Sequence, residues 1–269
     1  MNAVPAIEGF ESREFSHEGE PHVVYRRGAG PGVVVMHEIP GITPQVAAFA
    51  RRVADAGFSV AMPWMFGHPN RPLTPGYALG QMARACISRE FHVFATRRAS
   101  PITHWLRALC RSLHAECGGP GVGAIGMCLT GNFALSLMVD PSVMAPVLSQ
   151  PSLPAPLTPA RRRDLHISDA ELAEAKRRVD HEGLELMAVR FTADPLCPGA
   201  RFERLRSEFG AAFRGIEIDS RPGNPHGNPV WAHSVVTTDL VDEEGHPTRE
   251  ALDEMLAFFR RRLTTGPVA

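Results

Sequence analysis

The sequence has almost no charge imbalance. Its 28 basic residues (Lys and Arg) face 29 acidic ones (Asp and Glu), for a formal net charge of -1. A chain so balanced has no field that gathers nucleic acid or an anionic membrane, and neither partner is expected. Long apolar runs are missing too. Stretches such as 32–36 are far too short to span a bilayer, which takes about 20 residues. Residues 1–15 are polar and acidic without the apolar core of a signal peptide, so a cytoplasmic protein is expected. Five cysteines (Cys86, Cys110, Cys117, Cys128 and Cys197) are an odd number without regular spacing. That excludes a disulfide framework and predicts reduced thiols. The histidines form no H-E-x-x-H motif and no Cys/His pairs at ligand spacing, so neither a metal nor another cofactor is expected. No internal repeat or low-complexity segment is visible.

What is present is an alternation of strand-like and helix-like segments. At 269 residues and 44% hydrophobic content, the chain suits one large α/β domain spanning 1–269. Residues 22–26 read as an edge strand. Residues 33–36 form a continuous apolar strand, as at the centre of a parallel sheet. Thr43 and Pro44 open a helix whose Val46, Phe49, Ala50 and Val53 make one apolar stripe, and Gly57 ends it. Further strands are predicted at 58–62, 122–125, 144–148, 186–191 and 214–218. Helices are predicted from Ser100 and Pro101 to about 117, at 132–139, from a capping box at Ser168 and Glu171 to about 179, at 199–209 and at 248–263. Residues 63–80 read as loop, and the proline-rich stretch at about 150–167 reads as an irregular excursion that could cap a site. The alternation predicts a mostly parallel, doubly wound sheet flanked by helices, with ligands bound beyond the carboxyl ends of its strands.

Those ends carry the chemistry. Gly126-Met127-Cys128-Leu129-Thr130-Gly131 lies between a strand and a helix, as a nucleophile elbow does. Its central residue is a cysteine, and Gly131 falls one place later than in G-x-S-x-G. A helix N-terminus behind the sulfur would favour thiolate. Asp194 follows the 186–191 strand, His226 and His233 follow the 214–218 strand, and Glu38 follows the 33–36 strand. The order nucleophile, acid, histidine is that of α/β-hydrolases. Cysteine would attack a carbonyl carbon, histidine would move the proton, and aspartate would fix the imidazole tautomer. Backbone N–H groups of Leu129 and of the Glu38–Ile39 turn would form the oxyanion hole. Each residue also has a plainer reading. Cys128 could be a packed small hydrophobe, Asp194-Pro195 a turn, either histidine a loop residue, and Glu38 a helix cap.

The chain resembles the dienelactone hydrolase family, through Val33-Val34-Val35-Met36-His37-Glu38-Ile39-Pro40-Gly41 and the Cys128 elbow. Asp194-Pro195-Leu196-Cys197-Pro198 and His233-Ser234-Val235 are weaker matches. The resemblance implies an α/β-hydrolase fold and a small ester or lactone as substrate, cleaved by Cys128, His233 and Asp194. It places His233, rather than His226, in the catalytic position. It implies that Glu38 holds the resting Cys128 thiol and takes its proton when substrate binds. It suggests Arg89 as a carboxylate-binding residue. The chain departs from the family at Thr130, where glycine is usual, and at His37 and Ala232. It also lacks an arginine in Ser234-Val235-Val236-Thr237, which tells against a dienelactone substrate. Two rivals stand beside ester hydrolysis: a thioesterase or acyltransferase on the same site, and a non-catalytic protein using the thiol as a ligand pocket or redox sensor. The oligomeric expectation is a monomer or a homodimer.

Overall fold

The computed structural model describes residues 4–87, 98 and 100–264. Its strands are β1 (Glu11–His17), β2 (Glu20–Arg27), β3 (Gly32–Met36), β4 (Ser59–Pro63), β5 (Val122–Met127), β6 (Val143–Ser149), β7 (Leu186–Phe191) and β8 (Phe213–Ile218). They join one sheet in the order β1-β2-β4-β3-β5-β6-β7-β8. The β1–β2 and β2–β4 pairs are antiparallel, and every pair from β4 to β8 is parallel. This is the α/β-hydrolase architecture, a mostly parallel sheet with helices on both faces.

The helices are α1 (Pro44–Asp55), α2 (Pro75–Ile87), α3 (Ile102–Cys117), α4 (Phe133–Leu137), α5 (Pro159–Arg163), α6 (Asp169–Glu182), α7 (Gly199–Phe209) and α8 (Pro247–Leu263). Side chains alternate across the central strands, so each strand serves two cores. Val33 and Val35 pack with Phe49 and Val53 of α1 and Met255, Phe258 and Phe259 of α8. Val34 and Met36 face the other way, toward Trp105 and Leu109 of α3, Phe133 of α4 and Phe202 of α7. Each of these fully buried large side chains contributes roughly 1.5–3 kcal/mol. No helix among the described residues is long and apolar enough to cross a membrane.

Four expectations need correction. Residues 22–26 are not an edge, because β1 pairs outside β2 from Glu11↔Arg26 to His17↔Glu20. β1 is polar and largely exposed on both faces, so it has no apolar period to read. Residues 63–80 are not all loop: α2 begins at Pro75, with Ala78 N donating to Thr74 O at 2.9 Å. Its Thr-Pro entry repeats that of α1, and Gly76 and Gly80 masked the signal. Ser100 does not cap α3; its hydroxyl meets His166 Nε2 at 3.0 Å. Finally, the helix predicted at 132–139 is only the five residues of α4, preceded by a 3-10 turn at Cys128–Thr130. So short a helix has a small dipole to offer the sulfur.

The excursion at 150–167 is irregular apart from α5, and it is strapped down from behind. The buried Arg201 of α7 donates to Asp164 O (2.9 Å), Pro151 O (2.6 Å), Pro154 O (2.9 Å) and Arg161 O (3.1 Å). Asn132 ties it to the elbow, donating to Leu165 O and accepting from Leu153 N, each at 3.0 Å.

Candidate active site

Cys128 directly follows β5 with φ of 54°, in the left-handed region that L-residues avoid. Such a conformation costs on the order of 1–3 kcal/mol and persists where the surroundings enforce it. Here they do. A Cβ on Gly126 would stand 2.0 Å from Thr130 O, and one on Gly131 would stand 2.7 Å from Pro151 Cα. Both glycines are therefore steric requirements of the turn. Gly131 N and Ser152 N each donate to Cys128 O at 3.0 Å, which fixes the elbow's carbonyl. Thr130 fills its family-glycine position usefully. Its hydroxyl accepts from Met127 N (2.9 Å) and lies within donating distance of Met36 O (3.1 Å), His37 O (3.2 Å) and Met127 O (3.0 Å). It locks the end of β3 to the end of β5.

Asp194 lies in the turn after β7, 3% exposed. Its Oδ1 accepts from Leu196 N at 2.9 Å, and its Oδ2 meets His233 Nδ1 at 2.6 Å. That pairing puts the ring proton on Nδ1 and leaves Nε2 as the working nitrogen. Nε2 is buried and has no hydrogen-bond partner among the described residues. Burial works to lower the His233 pKa. The charge of Cys128 and the hydrogen bond and charge of Asp194 outweigh it, and the pKa lies well above the ordinary imidazole value. His226 stands apart: it is exposed, and its ring packs against His246 at 5.8 Å. The structure therefore pairs His233 with Asp194 and leaves His226 outside that pair.

Glu38 is 4% exposed and accepts three hydrogen bonds. Gln150 Nε2 (3.1 Å) and Ser234 Oγ (2.8 Å) donate to Oε2, and Thr237 Oγ1 donates to Oε1. Burial raises its pKa, opposed by the Thr237 and Ser234 hydroxyls and the charge of His233. Glu38 does not cap α1; Thr43 does, accepting from Val46 N at 3.3 Å. Ile39 and Leu129 are buried, on the turns that follow β3 and β5. Arg89 lies outside the described residues. Two surface clefts of ≈490 and ≈530 Å³ are lined by residues such as Arg26 and Trp105 and by none of the site residues, so volume alone would misplace the site. Among the described residues, no cluster of three His, Cys, Asp or Glu side chains is placed to hold a metal.

Sequence reasoning missed Gln150, Thr237 and Asp239. Asp239 Oδ2 accepts from His233 N and Ser234 N, both at 2.8 Å, and so anchors the histidine loop. It missed the job of His37 as well. Met65 N donates to His37 Nε2 at 3.1 Å, which leaves Nδ1 to donate to Glu38 O at 3.1 Å. This fully buried ring is neutral, its pKa lowered by burial to about 4 from 6.5. As pH falls from 6.5, the unfolded chain takes up this proton and the folded chain does not. His37's contribution is thus full above pH 6.5 and lost on the way down to about 4, on the order of 3 kcal/mol. Urea denaturation from pH 7 to 4 is expected to show this loss, and His37→Gln should flatten that part of the profile. An unchanged slope in the variant would contradict the burial argument.

A model of the dienelactone hydrolase family matches residues 21–263. The chain belongs to the dienelactone hydrolase family. Solved structures agree in fold. A candidate dienelactone hydrolase from Klebsiella pneumoniae subsp. pneumoniae MGH 78578 superposes with a TM-score of 0.62 at 16% identity, covering 94% of this chain and 99% of that one. A dienelactone hydrolase from Anabaena variabilis ATCC 29413 gives 0.60 at 14% identity, covering 95% and 98%. A dienelactone hydrolase-like promiscuous phosphotriesterase from metagenomic libraries gives 0.57 at 17%, also covering 95% and 98%. At these identities the likeness is one of fold. No curated protein sequence matches the chain.

Proposed function

We propose that this dienelactone hydrolase family member cleaves carboxylic esters or lactones through a Cys128–His233–Asp194 triad. The observation that carries the reading is the buried His233–Asp194 pair, whose free Nε2 is coupled to a cysteine held in a strained elbow. His233 takes the thiol proton on Nε2, and the sulfur bonds to the substrate's carbonyl carbon. The carbonyl oxygen, now an oxyanion, is received by the N–H groups of Ile39 and Leu129. As the carbon–oxygen ester bond breaks, His233 returns its proton to the leaving oxygen. Water, deprotonated by the same nitrogen, then cleaves the thioester and restores the thiol. Asp194 keeps the tautomer correct throughout. Ser234-Val235-Val236-Thr237 holds no arginine of the kind the resemblance leads one to expect shortly after the histidine, and the Thr237 hydroxyl is engaged by Glu38. This supports a substrate without the dienelactone carboxylate.

The test is a panel of p-nitrophenyl esters and lactones in isotopically labelled water, run beside Cys128→Ala. Labelled carboxylate formed by the wild type alone is the expected result. Acyl groups delivered to an added alcohol or amine, with no label in the acid, would replace hydrolysis by acyl transfer.

A further inference from the structure

We infer that Glu38 is a positioning residue for the His233 loop, held in a cradle of Gln150, Ser234 and Thr237, and that it is not the base for Cys128. The resemblance to the family led to a glutamate resting against the thiol. The hydrogen bonds run elsewhere: all three of its donors are hydroxyl or amide groups, and Cys128 is not among its hydrogen-bond partners within the described residues.

The cradle has two sides. Ser234 and Thr237 follow His233 directly, so two of the three bonds grip the segment that carries the imidazole. Asp239 grips the same segment from its backbone N–H groups. His233 is thus suspended between two carboxylates, one bonded to its loop's amides and the other to its loop's hydroxyls. The second side comes from the end of β6. Gln150 is buried with φ of 34°, its N–H donates to Val189 O at 2.7 Å, and its Oε1 accepts from Ser149 Oγ. With Oε1 occupied, the amide nitrogen is the end left to face Glu38. Swinging the carboxylate to the sulfur would break three buried bonds and leave the Ser234 and Thr237 hydroxyls and the Gln150 amide nitrogen without their acceptor. A residue so fully engaged serves best as a fixed anchor, and the charge of Cys128 acts on His233.

The inference rests on the triad reading, and two measurements separate their failures. The first is alkylation of Cys128 by iodoacetamide without substrate, read by mass spectrometry from pH 5 to 10. The thiolate sulfur displaces iodide, so the profile reports how the thiol loses its proton. Wild type and Glu38→Gln should share one midpoint, because the glutamine oxygen still accepts from Thr237. Glu38→Ala should shift toward the profile of His233→Ala. The second is steady-state hydrolysis of p-nitrophenyl acetate. Glu38→Ala should lower kcat by about 10–100-fold with KM little changed, as a displaced imidazole would. Thr237→Val should lower kcat in the same sense, and Thr237→Ser should restore it. Circular dichroism establishes that each variant is folded.

Glu38→Gln shifted as far as Glu38→Ala in both measurements would make Glu38 the base and overturn the inference. Wild-type kcat in folded Thr237→Val would overturn the cradle. A wild type that alkylates but hydrolyses nothing would sink the hydrolase reading alone, and the alkylation profiles would still decide the role of Glu38.

Discussion

Cys128→Ala is expected to lower kcat for p-nitrophenyl acetate by at least ~10⁴-fold while leaving the protein folded. Removing the nucleophile of a triad typically costs this much or more, because the histidine and acid have nothing left to activate. The effect on stability should be small, within about 1 kcal/mol by urea denaturation. The elbow's shape comes from Gly126, Gly131 and the Thr130 hydroxyl, none of which touches the sulfur's own bonding. Activity and stability should therefore separate at this residue. The other described thiols offer controls. Cys110 and Cys197 are fully buried, and burial pushes both thiols far up, so neither substitutes as a nucleophile. Cys110→Ser and Cys197→Ser should lower stability and spare the kcat of whatever protein folds. Persisting turnover in Cys128→Ala would show that the reaction lies elsewhere.

The division between what the sequence discloses and what it hides follows from the range of the interactions. β3, β5 and β7 are apolar runs between turn residues, and α1 and α6 open on Thr43-Pro44 and Ser168-Glu171. Both are local signals, and the mostly parallel, doubly wound character of the sheet then follows from chain alternation and crossover handedness. The elbow is readable for the same reason: strand, nucleophile and flanking glycines lie within a few residues. β1 is unreadable because its stability comes from pairing with β2, and its own side chains are polar on both faces. The cradle lies further out of reach. Glu38 and Gln150 are 112 positions apart, and Glu38 and Ser234 are 196 apart. Gln150 sits at the end of a strand, in a segment that reads only as a proline-rich excursion. Nothing in its neighbours foretells a buried amide bonded to a glutamate from another strand's end. The resemblance to the family supplied Glu38 and His233 by position, but it carried a role for Glu38 that these hydrogen bonds do not support.

His233→Ala and His226→Ala should differ by about three to four orders of magnitude in kcat. The two residues are seven positions apart on one connection, and residue type alone cannot rank them. Their surroundings can. His233 is bonded through Nδ1 to a carboxylate that is itself buried, and its loop is fixed by Asp239. His226 is exposed and stacks edge-on with His246. Proton transfer needs a ring held at the right tautomer within hydrogen-bond reach of the sulfur, and a solvated loop residue has neither property. Asp194→Asn sharpens the test. An amide at that position can donate to Nδ1, which moves the ring proton to Nε2 and blocks the nitrogen that must accept from the thiol. The expected loss is on the order of 10⁴-fold in kcat, with the imidazole still in place. Hydrolysis that survives Asp194→Asn and fails in His226→Ala would transfer the proton relay to the exposed pair and dissolve the triad.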